Sequence, residues 1–255
     1  MVYDIIGNIV ILKFPEGIKK SEKINFAKKI LNEKKSVKTI VEKSDKVKGR
    51  LRTIKTRHLA GKRNLIAEYF ENNCRFKFNI ETCYFSPRLS NERKEIFSQV
   101  KKNERVLVMF AGVGPYSIEI AKNSKAKEVY SIELGKECSK YASENVKLNK
   151  LNNIKLFQGD VKKIIPKFFK EKIKFDRIIM PRPNLKDSFL KEAFLVIKNN
   201  GNIHYYAFGK DQEKILKLIK NQAKKYRKKI KILKVKKAGE IAPYKFRWRI
   251  DLKVY

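Results

Sequence analysis

Residues that commonly bind metals are scarce in this chain of 255 residues, which contains two histidines and three cysteines. Cys74, Cys83 and Cys138 lie far apart, and their spacing matches neither a zinc site nor the disulfide framework of a small secreted domain. The sequence therefore predicts no metal site and indicates an intracellular protein.

Long apolar runs are also lacking, because no stretch approaches the roughly 18 residues that a membrane-spanning helix needs. The N-terminus alternates in character and carries charges early, unlike a signal peptide. We therefore expect a cytoplasmic protein without membrane association.

Acidic residues are few: 26 Asp and Glu stand against 62 Lys and Arg, which gives a formal net charge of +36 and a pI near 10.1. The content of 42% hydrophobic and 11% aromatic residues is enough for a core and excludes a disordered basic tail. Lysine enrichment also follows genome base bias or heat adaptation, but heat adaptation raises glutamate as well. The charge therefore favours a polyanionic partner, with nucleic acid as the leading candidate. Two basic runs, residues 46–63 and 224–237, are candidate RNA surfaces, with a solvated face as the alternative for each.

The pattern of predicted elements changes near residue 90. Before it, a mixed α+β module is predicted, with two short strands bent at Gly7, a helix over 21–32, and strands over 36–42, 51–58, 64–70 and 74–82. After a helix over 92–101, strands and helices alternate, with strands at 105–110, 128–134, 153–158, 175–181 and 202–208 and helices at 115–122, 136–149, 161–170, 186–198 and 212–228. Two strands, 230–236 and 245–255, finish the chain.

Alternating strands and helices predict an α/β fold with a doubly wound parallel sheet. The final strand pair predicts an antiparallel hairpin edge, which is typical of the methyltransferase sheet and rare in dinucleotide-binding domains. We therefore expect a small α+β domain over residues 1–88 and a Rossmann-like methyltransferase domain over residues 89–255.

A glycine-containing turn follows the first strand of the alternating region. Gly112 and Gly114 allow a tight turn and the close approach of a ligand to the backbone. Glu133 ends the next strand, where a carboxylate can bind two ribose hydroxyls, and Asp160 ends the strand after that, where it can bind an adenine amino group. Ser117 replaces the third glycine of the dinucleotide fingerprint, which argues against NAD. An ordinary turn with two surface carboxylates is the alternative, but three features at successive strand ends favour a cofactor that contains adenosine.

Two segments carry a family resemblance: YFSPRLSNER (residues 84–93) and MFAGVGPYSI (residues 109–118). With IIGNIVILKFPEG, CRFKF, ENVKLNKLNNI and NIHYY, they make nearly the whole chain similar to the archaeal and eukaryotic tRNA (guanine-37 N1)-methyltransferase family. The resemblance implies a class I methyltransferase fold, S-adenosylmethionine as methyl donor, and a tRNA substrate modified at position 37 of the anticodon loop. We expect the protein to be a monomer. It starts where the second domain of longer members begins, so we expect no separate domain that inspects the tRNA body.

The chemistry implied by this resemblance requires a base. Guanine N1 carries a proton, and as that proton leaves, negative charge moves towards O6, where a cationic donor stabilises it. The resemblance assigns Glu92 as the base and Arg52 as the donor to O6. The alternatives are a first-turn acid that complements a helix dipole for Glu92, and a simple phosphate contact for Arg52.

The remaining site residues come from the same resemblance. It implies cofactor contacts from Arg93, Phe110, Gly112, Gly114, Glu133, Asp160, Val161 and Pro181, and tRNA contacts from Arg52, Tyr84, Arg88 and Arg182. For Arg88 and Arg93, RNA phosphate and the carboxylate of the cofactor's methionine are both open as partners. Tyr84 and Phe85 either line a base pocket or pack between domains.

Two departures from the family pattern widen the choice of function. Val108 occupies a position that is usually acidic, and Pro181-Arg182-Pro183 replaces the usual Asn-Leu-Pro beside the target base. Methylation of guanine N1 is the leading hypothesis. The alternatives are methylation at C7 of 4-demethylwyosine, alone or in addition, aminocarboxypropyl transfer from the same cofactor, and a non-catalytic RNA-binding protein.

Overall fold

The computed structural model describes residues 2–44, 53–182 and 187–255. Arg52, Pro183 and residues 46–52 of the first basic run lie outside this part of the chain. The chain divides into two compact units, Met1–Pro87 and Arg88–Tyr255. Within the described ranges, no helix has the length and apolar character needed to cross a membrane.

The first unit combines a four-stranded sheet, a helix and a separate hairpin. Its elements are β1 (Val2–Ile6), β2 (Ile9–Lys13), α1 (Lys20–Glu33), β3 (Thr39–Lys43), β4 (Thr56–Gly61), β5 (Ile66–Glu71) and β6 (Cys74–Asn79). The sheet has the order β1-β2-β3-β4, with β2 and β3 parallel and the other pairs antiparallel. Strands β5 and β6 pair only with each other among the described strands. The predicted bend at Gly7 is confirmed: its φ is +56°, and a Cβ there would lie 1.8 Å from the Glu68 carbonyl oxygen.

The core of the first unit follows from simple periodicity. Ala27 and Ile30 of α1 pack on Val10 and Ile40 of the sheet. In β6, Cys74, Phe76 and Phe78 are buried while the residues between them are exposed, which is the period-two pattern of a strand with one buried face.

The second unit is a seven-stranded sheet with helices on both faces. Its strands are β7 (Arg105–Met109), β8 (Glu128–Glu133), β9 (Ile154–Gln158), β10 (Phe175–Met180), β11 (Ile197–Gly209), β12 (Ile230–Ala242) and β13 (Lys245–Val254). Its helices are α2 (Ser90–Ser98), α3 (Pro115–Asn123), α4 (Lys136–Leu148), α5 (Val161–Lys170), α6 (Leu190–Val196) and α7 (Glu213–Lys225).

The order of the sheet is β12-β13-β11-β10-β7-β8-β9. Strands β7 to β11 are parallel, and β13 lies antiparallel between β11 and β12. Leu107 and Met109 of β7 join the core under α5, α6 and α7, whereas Val106 and Val108 join the core under α2 and α3. The predicted α/β class and the terminal antiparallel hairpin are confirmed.

Several predicted boundaries were wrong, and two of them share a cause. The helix predicted to continue to residue 198 ends at Val196, because Ile197 pairs with Phe175 and starts β11. The strand predicted to end at residue 236 continues to Ala242, because the hairpin with β13 extends its pairing. In both cases strand pairing, a non-local interaction, decides the boundary.

Candidate active site

The glycine turn joins β7 to α3 at the carboxyl edge of the sheet. Its backbone is in the left-handed region at Phe110, Gly112 and Gly114, with φ values of +61°, +60° and +89°. The Ala111 N–H donates to the Ile132 carbonyl at 2.9 Å, which ties the turn to β8. The turn therefore brings backbone N–H groups and the start of α3 to the edge where β8 and β9 also end.

Ser117 explains why a third glycine is not required in this turn. Its Oγ donates to Ser131 Oγ of β8 at 2.8 Å, and both side chains are buried. Helix α3 therefore packs on β8 through a pair of hydroxyl groups, at a separation that leaves room for a side chain.

Glu133 ends β8 beside the glycine turn. Its Oε2 accepts from the Gly112 N–H at 2.7 Å, and its Oε1 accepts from the Gly135 N–H at 2.6 Å. Burial raises the pKa of Glu133, although these amides oppose the effect. Each carboxylate oxygen has more than one acceptor site, so the pair retains acceptor capacity for two neighbouring hydroxyl groups. This arrangement suits the ribose of an adenosine-containing cofactor.

Asp160 lies at the end of the next strand and caps α5. Its side chain accepts from the Lys162 N–H at 2.9 Å, while the preceding Gly159 N–H donates to the Glu133 carbonyl at 2.8 Å. Val161, the first residue of α5, is buried. The structure thus brings together the glycine turn, Glu133 and Asp160, which the sequence placed at three successive strand ends.

Phe110 and Pro181 flank this edge from β7 and β10. The Phe110 ring meets the Phe189 ring edge-on, with centroids 4.9 Å apart. Pro181 directly follows β10, and the next residue, Arg182, is largely buried. The Arg182 guanidinium donates to the Asp187 carbonyl and lies 5.7 Å from the centroid of the Tyr205 ring. Arg182 therefore packs against β11.

Glu92, in the first turn of α2, is buried and receives three donors. Its Oε1 accepts from Arg249 Nη1 at 2.6 Å and from the Tyr206 hydroxyl at 2.7 Å, and its Oε2 accepts from Lys236 Nζ at 3.0 Å. One turn later, Glu95 accepts from Arg249 Nη2 at 2.5 Å and also from Lys236 and Lys234. The Arg249 hydrogen bond holds the pKa of Glu95 far below its usual range. Glu92 is thus an oriented acceptor inside a cationic cluster.

A buried chain of polar side chains leads away from Arg249. Arg249 Nε lies 3.0 Å from Asp251 Oδ1, which is 2.7 Å from His204 Nδ1. His204 Nε2 lies 2.6 Å from Arg177 Nη1, and Arg177 holds Glu104 at 2.7 and 3.0 Å. Because a guanidinium only donates, His204 Nε2 accepts and Nδ1 donates to Asp251, which describes a neutral imidazole. Burial lowers the pKa of His204, in agreement with this assignment.

Sequence reasoning missed this series of buried polar side chains. The available signal was in β13, where Arg247, Arg249 and Asp251 alternate with apolar residues in a strand that the sheet order buries. Charged residues at buried strand positions require partners.

Arg93 and Phe85 lie in other surroundings. Arg93 Nε donates to Glu119 Oε1 at 2.9 Å, in a buried ion pair that joins α2 to α3. In the first unit, Phe85 packs against the rings of Tyr69, Phe76 and Phe78, with centroids 4.9 to 5.7 Å apart. Phe85 therefore packs on aromatic rings of the first unit.

Three further residues named from the sequence can be placed. Val108, at the usually acidic position, is fully buried in an apolar core. Tyr84 is half-buried and Arg88 is exposed. Among residues 2–44, 53–182 and 187–255, no three His, Cys, Asp or Glu side chains form a group that can hold a metal ion.

Models of two protein families match the chain. The TRM5/TYW2 methyltransferase domain matches residues 67–233, and the TYW2 N-terminal domain matches residues 1–64. Together they cover nearly all of the first unit and most of the second.

Two curated relatives cover 99% of this chain. The tRNA (guanine(37)-N(1))-methyltransferase Trm5b of Pyrococcus abyssi is 37% identical over 255 residues, which is 74% of its length. The tRNA (guanine(37)-N(1))/4-demethylwyosine(37)-methyltransferase Taw22 of Nanoarchaeum equitans is 36% identical over 300 residues, which is 99% of its length.

Solved structures agree with these relatives. The complex of aTrm5 with tRNALeu superposes with a TM-score of 0.89 at 30% identity, covering 100% of this chain and 72% of that one. Methanocaldococcus jannaschii TYW2 in complex with AdoMet superposes with a TM-score of 0.76 at 27% identity, covering 99% of both chains. Both the sequence matches and the fold therefore place the protein in one family: this chain belongs to the TRM5/TYW2 methyltransferases.

Proposed function

We propose that this protein transfers a methyl group from S-adenosylmethionine to N1 of guanosine 37 in tRNA. The observation that carries the proposal is the setting of Glu92, a buried carboxylate whose two oxygens are oriented by Arg249, Tyr206 and Lys236. Methylation at N1 needs an acceptor for the N1 proton, and Glu92 lies in the YFSPRLSNER segment that the family resemblance assigns to the base. Relatives named for this reaction support the choice.

In the proposed mechanism, Glu92 accepts the N1 proton while the methyl group is transferred. S-adenosylmethionine, when bound, supplies an electrophilic methyl group. Arg52, which lies outside the described residues, is assigned as the donor to O6 by the resemblance alone. Together the two residues stabilise the charge that develops on guanine, and each such contribution is typically worth a factor of 10² or more in rate.

The cofactor would be held at the carboxyl edge of β7, β8 and β9. We assign Gly112 and Gly114 to close backbone contact, Glu133 to the ribose and Asp160 to the adenine amino group. Phe110, Val161, Pro181 and Arg93 complete the proposed set. For Arg93, the buried pair with Glu119 supports a role in positioning α3 beside the glycine turn.

The tRNA would present nucleotide 37 from the anticodon loop, where a base leaves its stack at low cost. We assign Tyr84, Arg88 and Arg182 to the substrate in addition to Arg52. We propose a cytoplasmic location, because tRNA is cytoplasmic. We also propose that the protein is a monomer, and size-exclusion chromatography with light scattering tests this oligomeric state.

Replacing Glu133 with alanine is expected to weaken S-adenosylmethionine binding at least tenfold, because two hydroxyl acceptors are lost. Isothermal titration calorimetry measures this change. Glu128→Ala is the matched control, since Glu128 lies at the opposite end of β8 and pairs with Arg105 and Lys155. Equal affinity of the Glu133 variant and the wild type would refute the assignment.

Nucleoside mass spectrometry tests the proposed reaction. Unmodified tRNA with guanosine 37 is incubated with the protein and S-adenosylmethionine and then digested, and we expect 1-methylguanosine. A tRNA with adenosine 37 is the control and should remain unmodified. Absence of 1-methylguanosine from the first tRNA would refute the proposal.

Methylation at C7 of 4-demethylwyosine is the second candidate. One observation favours it: the match to Taw22 spans 99% of both chains. Offering tRNA that carries 4-demethylwyosine separates the activities by the mass of the product nucleoside. Methylthioadenosine as by-product would instead indicate aminocarboxypropyl transfer.

A further inference from the structure

We propose that the tip of the β12–β13 hairpin binds single-stranded RNA beside the target nucleotide, with Tyr244 stacking on a base and Lys237 and Lys245 facing phosphates. This inference rests on the proposed function, because it assigns a further contact to the same tRNA. It concerns the hairpin tip and Lys237 behind it, which is the last residue of the basic run 224–237.

The register of the sheet places the tip at the catalytic edge. Met180, the last residue of β10, pairs with Tyr205 of β11, which in turn pairs with Ile250 of β13. The pairing of β13 continues outward through Gly209 and Phe246, and then with β12 as far as Ala242 and Lys245. At about 3.3 Å a residue, the turn extends roughly 16 Å beyond the end of β10. It leaves the sheet on the side of the glycine turn and Glu133.

The tip carries apolar and aromatic side chains that are exposed to solvent and do not pack into a core. Tyr244 is 78% exposed and Ile241 is 43% exposed. Tyr244 also has a φ of +57°, a conformation that a non-glycine residue adopts at a cost. An exposed tyrosine held in this way, at the carboxyl edge of the sheet, presents a stacking surface for a ligand.

Cations and aromatic rings are interleaved behind the tip. Lys237 Nζ lies 4.2 Å from the centroid of the Phe246 ring and 5.6 Å from that of Trp248, and the Arg247 guanidinium lies 5.3 Å from that of Phe208. Glu240 is the single acidic residue between positions 230 and 250. Aromatic platforms among cations are how proteins bind single-stranded nucleic acid, since bases stack and phosphates are neutralised.

Lysines on an edge strand also prevent unwanted strand pairing, and this accounts for the outer lysines of β12. Lys234 and Lys236 have a further role, because they pair with glutamates of α2. Neither role explains Tyr244, which is uncharged and lies at the turn. With a net charge of +36 and a catalytic edge that must receive an unstacked nucleotide, RNA is the occupant that fits.

The test compares Tyr244→Ala with the wild type on a tRNA transcript that carries guanosine 37. Fluorescence anisotropy at one fixed salt concentration gives the Kd for tRNA, and we expect it to rise about tenfold, since one stacked base is lost. Tyr244→Phe keeps the ring and should bind like the wild type. Tyr255→Ala is the matched control, because Tyr255 is 47% exposed but follows β13 at the opposite edge of the sheet. Affinity for S-adenosylmethionine should be equal in all four proteins, which confirms that they are folded.

Lys237→Gln tests the proposed phosphate contact. Loss of this cation should reduce the slope of log K for tRNA binding against log salt concentration by about one. The inference is overturned if Tyr244→Ala and Lys237→Gln both bind tRNA like the wild type. Its failure is distinct from failure of the proposed function, which is judged by the product that wild-type protein forms. Weaker tRNA binding by Tyr244→Ala without 1-methylguanosine from the wild type would support the hairpin contact and reject the reaction.

Discussion

Glu92→Gln is expected to lower kcat for tRNA methylation by about 10² to 10⁴-fold while leaving the Kd for tRNA unchanged. The amide keeps the shape of the carboxylate but cannot accept the N1 proton, and general base catalysis contributes about this factor. Single-turnover kinetics with labelled S-adenosylmethionine measures the chemical step, and anisotropy measures tRNA binding.

Glu95→Gln is the matched control for this experiment. Glu95 lies one turn further along α2 and shares Arg249 and Lys236 with Glu92, but the Tyr206 hydroxyl is bonded to Glu92. A loss of rate confined to the Glu92 variant assigns the base. Equal turnover by Glu92→Gln and the wild type would refute that role, and equal losses in both variants would point to the cationic cluster instead.

Arg249→Met is expected to reduce the free energy of unfolding of the second unit by about 3–5 kcal/mol, the usual effect of removing one partner from a buried ion pair. The guanidinium lies 2.6 Å from Glu92, 2.5 Å from Glu95 and 3.0 Å from Asp251, and it is fully buried. Methionine fills the volume but leaves two buried carboxylates without their main cation. Denaturant unfolding followed by the fluorescence of Trp248, the single tryptophan, reports on this unit.

Arg105→Met is the control for stability. The Arg105–Glu128 pair, at 2.9 Å, is partly exposed, so its loss should cost less than about 1 kcal/mol. Similar losses in the two variants would show that Arg249 is no more important to stability than a surface cation.

The deficit of Arg249→Met should shrink in acid. Arg249 lowers the pKa of Glu95, and the pKa of Asp251 is also lowered overall, by His204 and Arg249 against the effect of burial. A carboxyl group whose pKa is lower in the folded state than in the unfolded state stabilises the protein at a pH above its unfolded-state pKa. This contribution is lost as the pH falls through its folded-state pKa. The wild type therefore loses this part of its stability as the pH falls below about 4, and the variant has less to lose. A deficit that grows in acid would contradict this account.

Local patterns in the sequence determined much of this protein. Strand and helix periodicity predicted the alternating order of elements, because burial on one face repeats with the period of each element. Gly112, Gly114, Glu133 and Asp160 were recognisable because a glycine turn and carboxylates at strand ends have short-range signatures. The resemblance in residues 84–93 and 109–118 pointed to the family that the comparisons show.

The tertiary structure alone decided which groups surround Glu92. Tyr206 and Arg249 lie 114 and 157 residues away in the sequence, and Lys236 lies 144 residues away. They reach Glu92 because β11, β13 and β12 are neighbours in the sheet and each contributes one of these side chains. The position of β13 depends on which strands pair across the whole sheet, and local sequence patterns do not determine it. The same position carries the hairpin tip to the carboxyl edge of the sheet, so both the environment of the proposed base and the proposed RNA contact follow from it.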